Sequence, residues 1–218
     1  MVEANPFDLM AEEYDSWYDS DRGRPVYESE LKCLFALVPE RHLPVLEIGV
    51  GTGRFAMHFQ RAFGVDPAFS ALKIARNRGV RCVNGAGEYL PFRDEAFRMV
   101  LAIATLCFAD SPQALFDEAC RVLTPGGCAV VGFIPGDSPW GLLYEKKKRE
   151  GSPFYRNARF STFDEIEAMA EKAGLHSESV ASTLMQDPAG PLRVEEPSNR
   201  YVQGAGFVLL RLERKRSP

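Results

Sequence analysis

Apolar runs rich in branched side chains alternate along the chain with segments whose apolar residues recur at helical spacing. That alternation is the sequence mark of a parallel sheet flanked by helices. Pro44 to Gly49 reads as the first strand. A helix is expected from about Gly53 to Arg61, then a strand Ala62 to Asp66, a helix Ala68 to Asn77 and a strand Val80 to Asn84. The run Arg98 to Thr105 is almost wholly apolar, as in a central strand covered on both faces, where the two-residue alternation disappears. Ser111-Pro112 supplies an N-cap and a proline at the first helical position. Leu115, Ala119, Val122 and Leu123 then form one apolar face, and Pro125-Gly126-Gly127 is expected to end the helix before the strand Cys128 to Ile134.

From Pro135 to Phe160 the pattern lapses into a segment that resembles an insertion, with a short helix expected from Trp140 to Glu150. Thr162 and Glu165 have capping-box spacing, and Phe163, Ile166, Met169, Ala170 and Ala173 line a helix face that Gly174 stops. Leu175 to Leu184 and Ala205 to Lys215 alternate as strands. The stretch between them holds Pro188, Gly190, Pro191 and Pro197 and admits no crossover helix, so the two should pair antiparallel. The fold class is therefore α/β, a Rossmann-like, doubly wound, mostly parallel sheet closed by a C-terminal antiparallel hairpin. Residues 214–218 are expected to be a solvated end.

At 218 residues the chain has the length of one large domain or two small ones, and 1–218 is taken as one. A hydrophobic share of 45% and a charged share of 26% argue against a disordered or coiled-coil chain. The net charge of -4 offers no global field for nucleic acid or anionic membrane, and no nucleic-acid partner is expected. The five cysteines, Cys33, Cys82, Cys107, Cys120 and Cys128, show neither C-x-x-C nor zinc-finger spacing, so no disulfide framework and no metal site is expected. No apolar run reaches the ~20 residues that cross a bilayer. Acids at Glu3, Asp8, Glu12 and Glu13 stand where a signal peptide would be basic and then apolar, which suggests a cytoplasmic protein without membrane insertion, a monomer or homodimer.

Gly49-Val50-Gly51-Thr52-Gly53 forms a glycine-rich turn directly after the first strand. Glycines at the carboxyl end of a parallel strand let a ligand approach the backbone and let the loop take positive φ. Asp66 ends the next strand, where a carboxylate can accept hydrogen bonds from both hydroxyls of a ribose. Loop and acid together point to a nucleoside-containing cofactor. Dinucleotide sites run G-x-G-x-x-G/A, whereas here the sixth position is Arg54, which favours a group smaller than a pyrophosphate at the loop.

These residues resemble the class I S-adenosylmethionine (SAM) dependent methyltransferases, in the branch similar to the ubiquinone and menaquinone biosynthesis enzymes (type 11 methyltransferase-like). The likeness takes in Phe7-Asp8, Ala11, Tyr14-Asp15, the glycine loop, Gly64-Val65-Asp66-Pro67, Glu88-Tyr89-Leu90-Pro91-Phe92, Arg121 to Gly127, Phe160-Ser161-Thr162 and Ala173-Gly174-Leu175. Ala104-Thr105-Leu106-Cys107-Phe108 and Phe154-Tyr155-Arg156-Asn157-Ala158 are also similar to a small bacterial and archaeal subgroup of uncertain substrate, provisionally labelled amine N-methyltransferases. The resemblance implies SAM as cofactor and S-adenosylhomocysteine (SAH) as product. It implies that Glu47, Gly49 and Gly51 face the methionine part, that Asp66 binds the ribose, and that the backbone around Ala104 and Thr105 closes the pocket. Gly53, Pro67, Gly87 and Glu88 complete the implied cofactor set. Relatives commonly read Gly-Asp-Ala-Glu where this chain has Gly85-Ala86-Gly87-Glu88, so adenine recognition is expected to rest on backbone near Gly87 and on packing from Phe69 or Leu90.

Methyl transfer from a sulfonium is an in-line displacement of an already activated group, so the protein must chiefly align a small-molecule acceptor and exclude water. His42, His58 and His176 are expected at the surface or in packing. Residues 1–40 are read as a helical lid whose Tyr14 and Tyr18 roof the sulfonium and are the candidate catalytic residues, or else as a helix packed on the sheet edge. Trp140, Tyr144 and Tyr155, in the 135–160 insertion, either line the acceptor pocket or anchor a long connection. Lys146 to Arg149 reads as a solvated helix face, with attraction of an acidic acceptor or RNA the alternative. A nicotinamide-dependent oxidoreductase and a non-catalytic SAM-binding protein are the competing functional readings.

Overall fold

The computed structural model describes residues 5–215. Strands β1 (Pro44–Ile48), β2 (Arg61–Asp66), β3 (Arg81–Asn84), β4 (Phe97–Ile103), β5 (Leu123–Phe133), β6 (Leu175–Thr183) and β7 (Phe207–Arg214) form one sheet in the order β3-β2-β1-β4-β5-β7-β6. All pairings are parallel except those of β7, which runs antiparallel to both β5 and β6. The order reverses between β1 and β4, and the crevice beyond the carboxyl ends of those strands is where such sheets bind ligands.

The nearly continuous apolar run of β4 serves both faces of the sheet. Met99, Leu101 and Ile103 join Val45, Val130 and Leu209 in one cluster, while Val100 and Ala102 join Leu46, Ile48 and Val131 in the other. Helices α3 (Gly23–Leu37) and α4 (Phe69–Asn77) cover the first face through Val26, Cys33, Leu34, Leu72 and Ala75. Helices α5 (Pro112–Val122) and α7 (Phe163–Lys172) cover the second through Leu115, Phe116, Ala119, Ile166 and Ala170. Each large apolar side chain so buried stabilises the fold by about 1.5–3 kcal/mol. The expected caps form: Ser111 accepts from Ala114 N–H, and Thr162 and Glu165 cap reciprocally.

Two expectations are corrected. The helix expected over Gly53 to Arg61 is a single 3-10 turn, Ala56–His58. Phe55, Ala56 and Phe59 have helical spacing and are buried. The chain is already extended at Phe59, however, and β2 begins at Arg61, which leaves too few residues to nucleate a helix. Pro125-Gly126-Gly127 does not separate α5 from the next strand, because β5 starts at Leu123 and runs through it. Gly126 takes a φ of 76°, and the register jumps from Phe97↔Leu123 to Met99↔Cys128, so the triplet forms a bulge.

Ahead of the sheet lie α1 (Pro6–Leu9), α2 (Ala11–Trp17) and α3; residues 1–4 of the expected lid lie outside the described residues. Helix α6 (Pro139–Arg149) occupies the 135–160 segment. The connection from β6 to β7 is strapped to α3 and α6: Arg22 donates to Pro188 O, Glu195 N–H to Ser29 Oγ, and Trp140 Nε1–H to Gln186 O. Of the expected solvated end, Arg214 instead belongs to β7 and donates to Leu123 O, and residues 216–218 lie outside the described residues. Among the described residues no helix is long and apolar enough to cross a membrane.

Candidate functional site

Three strand ends meet at the crevice. Gly49 and Val50 at the end of β1 donate to Val65 O of β2 at 2.8 and 3.1 Å. Gly49 has a φ of 69°, and a Cβ there would fall 1.9 Å from Thr105 Oγ1, so only glycine lets the turn close against the segment after β4. Gly51 differs. Its φ is 51°, and the space a Cβ would enter holds no atom of the described residues within 4 Å. Ala104, just past β4, takes a φ of 50°, a conformation costly for a residue with a Cβ, and its N–H is anchored on Gly132 O at 2.7 Å.

Asp66 is 8% exposed, and its carboxylate is fixed by backbone. Gly51 N–H reaches Oδ2 and Ala68 N–H reaches Oδ1, each at 2.8 Å. Burial raises its pKa, and those two bonds oppose the rise. Each oxygen keeps a lone pair for a further donor. Glu47, in the middle of the sheet, is buried, and its Oε2 has no hydrogen-bond partner among the described residues. Burial pushes the Glu47 carboxyl up to about 8, against the pull of the Ala56 backbone N–H.

A salt-bridge knot ties α2 to the glycine loop. The Asp15 carboxylate accepts from Arg54 Nε and Nη2 at 2.9 Å, from Arg78 Nη1 and Nη2 at 2.8 Å, and from Thr52 Oγ1 at 2.6 Å. Burial alone would raise the Asp15 carboxyl, but the Arg78, Arg54 and Thr52 bonds outweigh it and hold the group well below the usual carboxylate range. Arg54, the residue that departs from the dinucleotide fingerprint, also pairs with Asp19.

Beside the loop lies a packed cluster of rings. Phe7 of α1 meets Tyr14, Phe108 and Phe154 at centroid distances of 5.1, 4.9 and 5.4 Å. Tyr14 and Tyr18 share a 2.8 Å hydroxyl contact, and burial pushes the Tyr14 phenol up to about 12. Tyr144 lies 4.7 Å from Tyr155 and 5.8 Å from Phe160. A cavity at the ends of β4 and β5, lined by Ala104, Cys107, Ile134, Arg159, Phe160 and Ser161, adjoins these rings.

Of the residues singled out from sequence, Glu47, Gly49, Gly51, Asp66, Ala104, Thr105, Tyr14 and Tyr18 gather around the crevice, and Tyr144 and Tyr155 stand in the ring cluster. Others make packing contacts or hydrogen bonds within the fold. Trp140 packs under Gly206. Gly53 backs onto Ala75 and Val80, Gly87 onto Ile48 and Leu115. Glu88 accepts from the Asp110 and Ser111 N–H groups, and Pro67 is exposed with its carbonyl bonded by Asn84. His58 contacts the Tyr27 hydroxyl, His176 pairs with Glu171, and His42 is exposed. In the basic run, Lys147 is partly buried, 5.0 Å from the Tyr144 ring centre. Sequence reasoning missed Glu30, Thr52 and Arg78. An acid on the apolar stripe Val26, Cys33, Leu34, Leu37 is the signal that marks Glu30.

A mostly parallel sheet with a glycine turn after β1, an acid ending β2 and an antiparallel β7 defines the Rossmann-like α/β class. Residues 46–131 match the family model described as "Methyltransferase domain". An uncharacterised protein of Mycobacterium tuberculosis is 42% identical over 198 residues, 90% of this chain and 70% of that protein. An uncharacterised protein of Methanocaldococcus jannaschii is 39% identical over 213 residues, 96% of this chain and 99% of that one. A crystal structure from Thermotoga maritima, named "SAM-dependent methyltransferase, possible histamine N-methyltransferase", is 38% identical with a TM-score of 0.88 and covers 96% of this chain and 98% of its own. The chain belongs to the class I SAM-dependent methyltransferase family.

Proposed function

We propose that this protein transfers a methyl group from SAM to a small-molecule acceptor. One observation carries the reading: beside the fixed Asp66 carboxylate, the loop leaves the Gly51 backbone bare on the side where a side chain would otherwise stand. The residues present fit the cofactor. Asp66 has lone pairs for the two ribose hydroxyls, and the unpartnered Oε2 of Glu47 suits the ammonium of the methionine moiety. Gly49, Ala104 and Thr105 wall the pocket. Phe69, half exposed at the start of α4, and buried Leu90 flank the adenine end.

SAM, when bound, supplies an activated methyl on a sulfonium. The chain's part is to orient and to keep water out. Tyr14 and Tyr18 roof the site, the rings of Tyr144 and Tyr155 line the acceptor side, and of the segment read as a lid only α1 and α2 serve as one, since α3 is packed on the sheet. With its phenol pushed up to about 12, Tyr14 stays neutral near pH 7 and positions rather than removes a proton. A pyrophosphate-binding oxidoreductase is disfavoured because the loop leads into a 3-10 turn and not into the α-helix N-terminus that such groups use. The ubiquinone and menaquinone branch is the finer assignment by motif. The name of the T. maritima relative points, for that protein, to an amine nitrogen. Five free thiols suit a cytoplasmic setting.

Calorimetric titration with SAM and SAH tests the reading. Binding in the micromolar range, weakened at least tenfold in Asp66→Ala, is expected; no binding of either to folded protein overturns it.

A further inference from the structure

The cavity at the carboxyl ends of β4 and β5 is walled on one side by the strip 159–161, and backbone hydrogen bonds fix that strip at both flanks. Arg159 N–H donates to Cys107 O at 2.8 Å, just past β4, and Gly136 N–H, just past β5, donates to Ser161 O at 3.0 Å. Ala158, which leads into the strip, is fully buried, and its carbonyl accepts from Lys148 Nζ. The approach at Gly136 is so close that a Cβ there would fall 2.4 Å from Phe160 O. The strip is therefore held in place by its own backbone. Ala104, which walls the cofactor crevice, lines the cavity as well, so the cavity stands beside the cofactor site.

Leu106, Phe133, Ile134, Phe160 and Ile166 give the cavity an apolar lining. No carboxylate is among the lining residues, and the single charged side chain is that of Arg159. No hydrogen bond or ion pair within the described residues engages the Arg159 guanidinium or the Ser161 hydroxyl. The basic run on α6 differs: Lys146 pairs with Glu150, Lys148 with Glu145, and Lys147 lies over the Tyr144 ring. An exposed, unpaired arginine is ordinary on a surface. One that lines an apolar cavity, on a fixed strip and two residues from a free hydroxyl, suits a planar anion, because a guanidinium presents its donors as a fork that matches a carboxylate. One cation balances the single charge of a carboxylate, whereas a phosphate monoester carries more. We propose that Arg159, with Ser161, binds a carboxylate carried by the methyl acceptor, whose apolar body fills the cavity beside Ala104. The carboxylate is the anchor and not the methylated group, since pairing with a guanidinium lowers the nucleophilicity of the oxygens it holds. The inference rests on the methyl-transfer reading and adds to it a charge on the acceptor and the residue that selects it.

The test is calorimetry on the full chain saturated with SAH. The probes are isovalerate, benzoate, phenylacetate and phenylpropionate, each with the primary amide of the same skeleton, and phenyl phosphate. At least one carboxylate is expected to bind at least tenfold more tightly than its amide, and more tightly than phenyl phosphate. Arg159→Gln and Arg159→Met should each lower that affinity at least tenfold. Both should change SAH and SAM affinity less than threefold and leave the unfolding midpoint in place, since the backbone bond to Cys107 survives either substitution. Lys146→Met, which removes a charge from the nearby basic run, should keep carboxylate binding within threefold. The proposal is overturned if no carboxylate in the panel binds, if carboxylates and amides bind alike, if phenyl phosphate binds more tightly than every carboxylate, or if both Arg159 variants keep the affinity. An equal loss in Lys146→Met overturns it too, because the effect would then belong to net charge and not to a site. So does a parallel fall in SAM affinity, which would assign Arg159 to the cofactor. In all these cases SAH still binds and the methyl-transfer reading stands; failure of SAM and SAH to bind folded protein strikes that reading instead.

Discussion

Asp15 and Arg78 meet through two parallel hydrogen bonds of 2.8 Å, and Arg54 holds the same carboxylate in a second bidentate pair at 2.9 Å. Arg78 also donates to Thr52 O at 2.7 Å, so the knot joins α2, the glycine loop and the end of α4. Bidentate guanidinium pairs are the geometrically specific kind, and these side chains are largely shielded from water.

Asp15→Asn takes the carboxylate from Arg78 and leaves Arg54 with Asp19 alone, at a cost on the order of 1–3 kcal/mol. Local opening should dominate. Hydrogen–deuterium exchange is expected to rise at least tenfold over residues 5–20 and to stay unchanged in β1, β4 and β5. Uniform acceleration across the sheet would mean that the knot supports the whole fold and not the N-terminal helices.

Gly51→Ala separates binding from folding. The left-handed φ costs about 1–2 kcal/mol for a residue with a Cβ, yet the added methyl meets no atom of the described residues. SAH affinity should drop at least tenfold in a protein that still folds. Gly49→Ala drives a Cβ into Thr105 and is expected to lower stability more than Gly51→Ala does. Undiminished SAH binding by Gly51→Ala would place the ligand elsewhere.

Tyr14→Phe and Tyr14→Ala distinguish ring from hydroxyl. The phenol stays neutral near pH 7, so Tyr14→Phe should keep SAH affinity within about threefold, while Tyr14→Ala, which strips contacts to Phe7, Tyr18 and Phe154, should lose at least tenfold. Equal losses in calorimetry would shift the weight to the hydroxyl.

Stability of the cofactor-free protein should depend on pH from both sides. Burial raises Glu30 and Glu47 from 4.5 to about 8, so the folded state holds their protons where the unfolded chain has released them. Their contribution is complete below pH 4.5 and is lost as pH rises through about 8, on the order of 1 kcal/mol or more for each. Asp15 has the opposite sign: its contribution is present above its unfolded value of 3.8 and is lost as pH falls below it. Urea unfolding at pH 4.5, 6 and 8 should show a decline toward alkaline pH that Glu47→Gln and Glu30→Gln each reduce. A flat profile in the parent would contradict burial of both carboxyls.

The strands and the later helices are legible in the sequence because their apolar spacing and caps agree: Ser111-Pro112 and Thr162-Glu165 start helices where the periodicity begins. The segment after Gly53 misleads because Phe55, Ala56 and Phe59 carry a helical spacing that three turn glycines and an early β2 leave no room to use. Gly126 misleads in the other direction, since a glycine at positive φ serves a bulge as readily as a helix end. At the site, Gly51 and Asp66 are readable because loop chemistry is local in sequence. Arg78 is not, since it acts on residues brought near only by folding.

Helix α3 is gripped on its far side by the connection from β6 to β7, where Glu195 N–H bonds Ser29 Oγ, next in sequence to Glu30, and Arg22 bonds Pro188 O. A stretch remote in sequence from the N-terminal helices thus sets the seat of the helix that carries the carboxyl. Swapping residues 186–200 between homologues would therefore shift α3 against the sheet face it covers, far in sequence from the exchanged stretch.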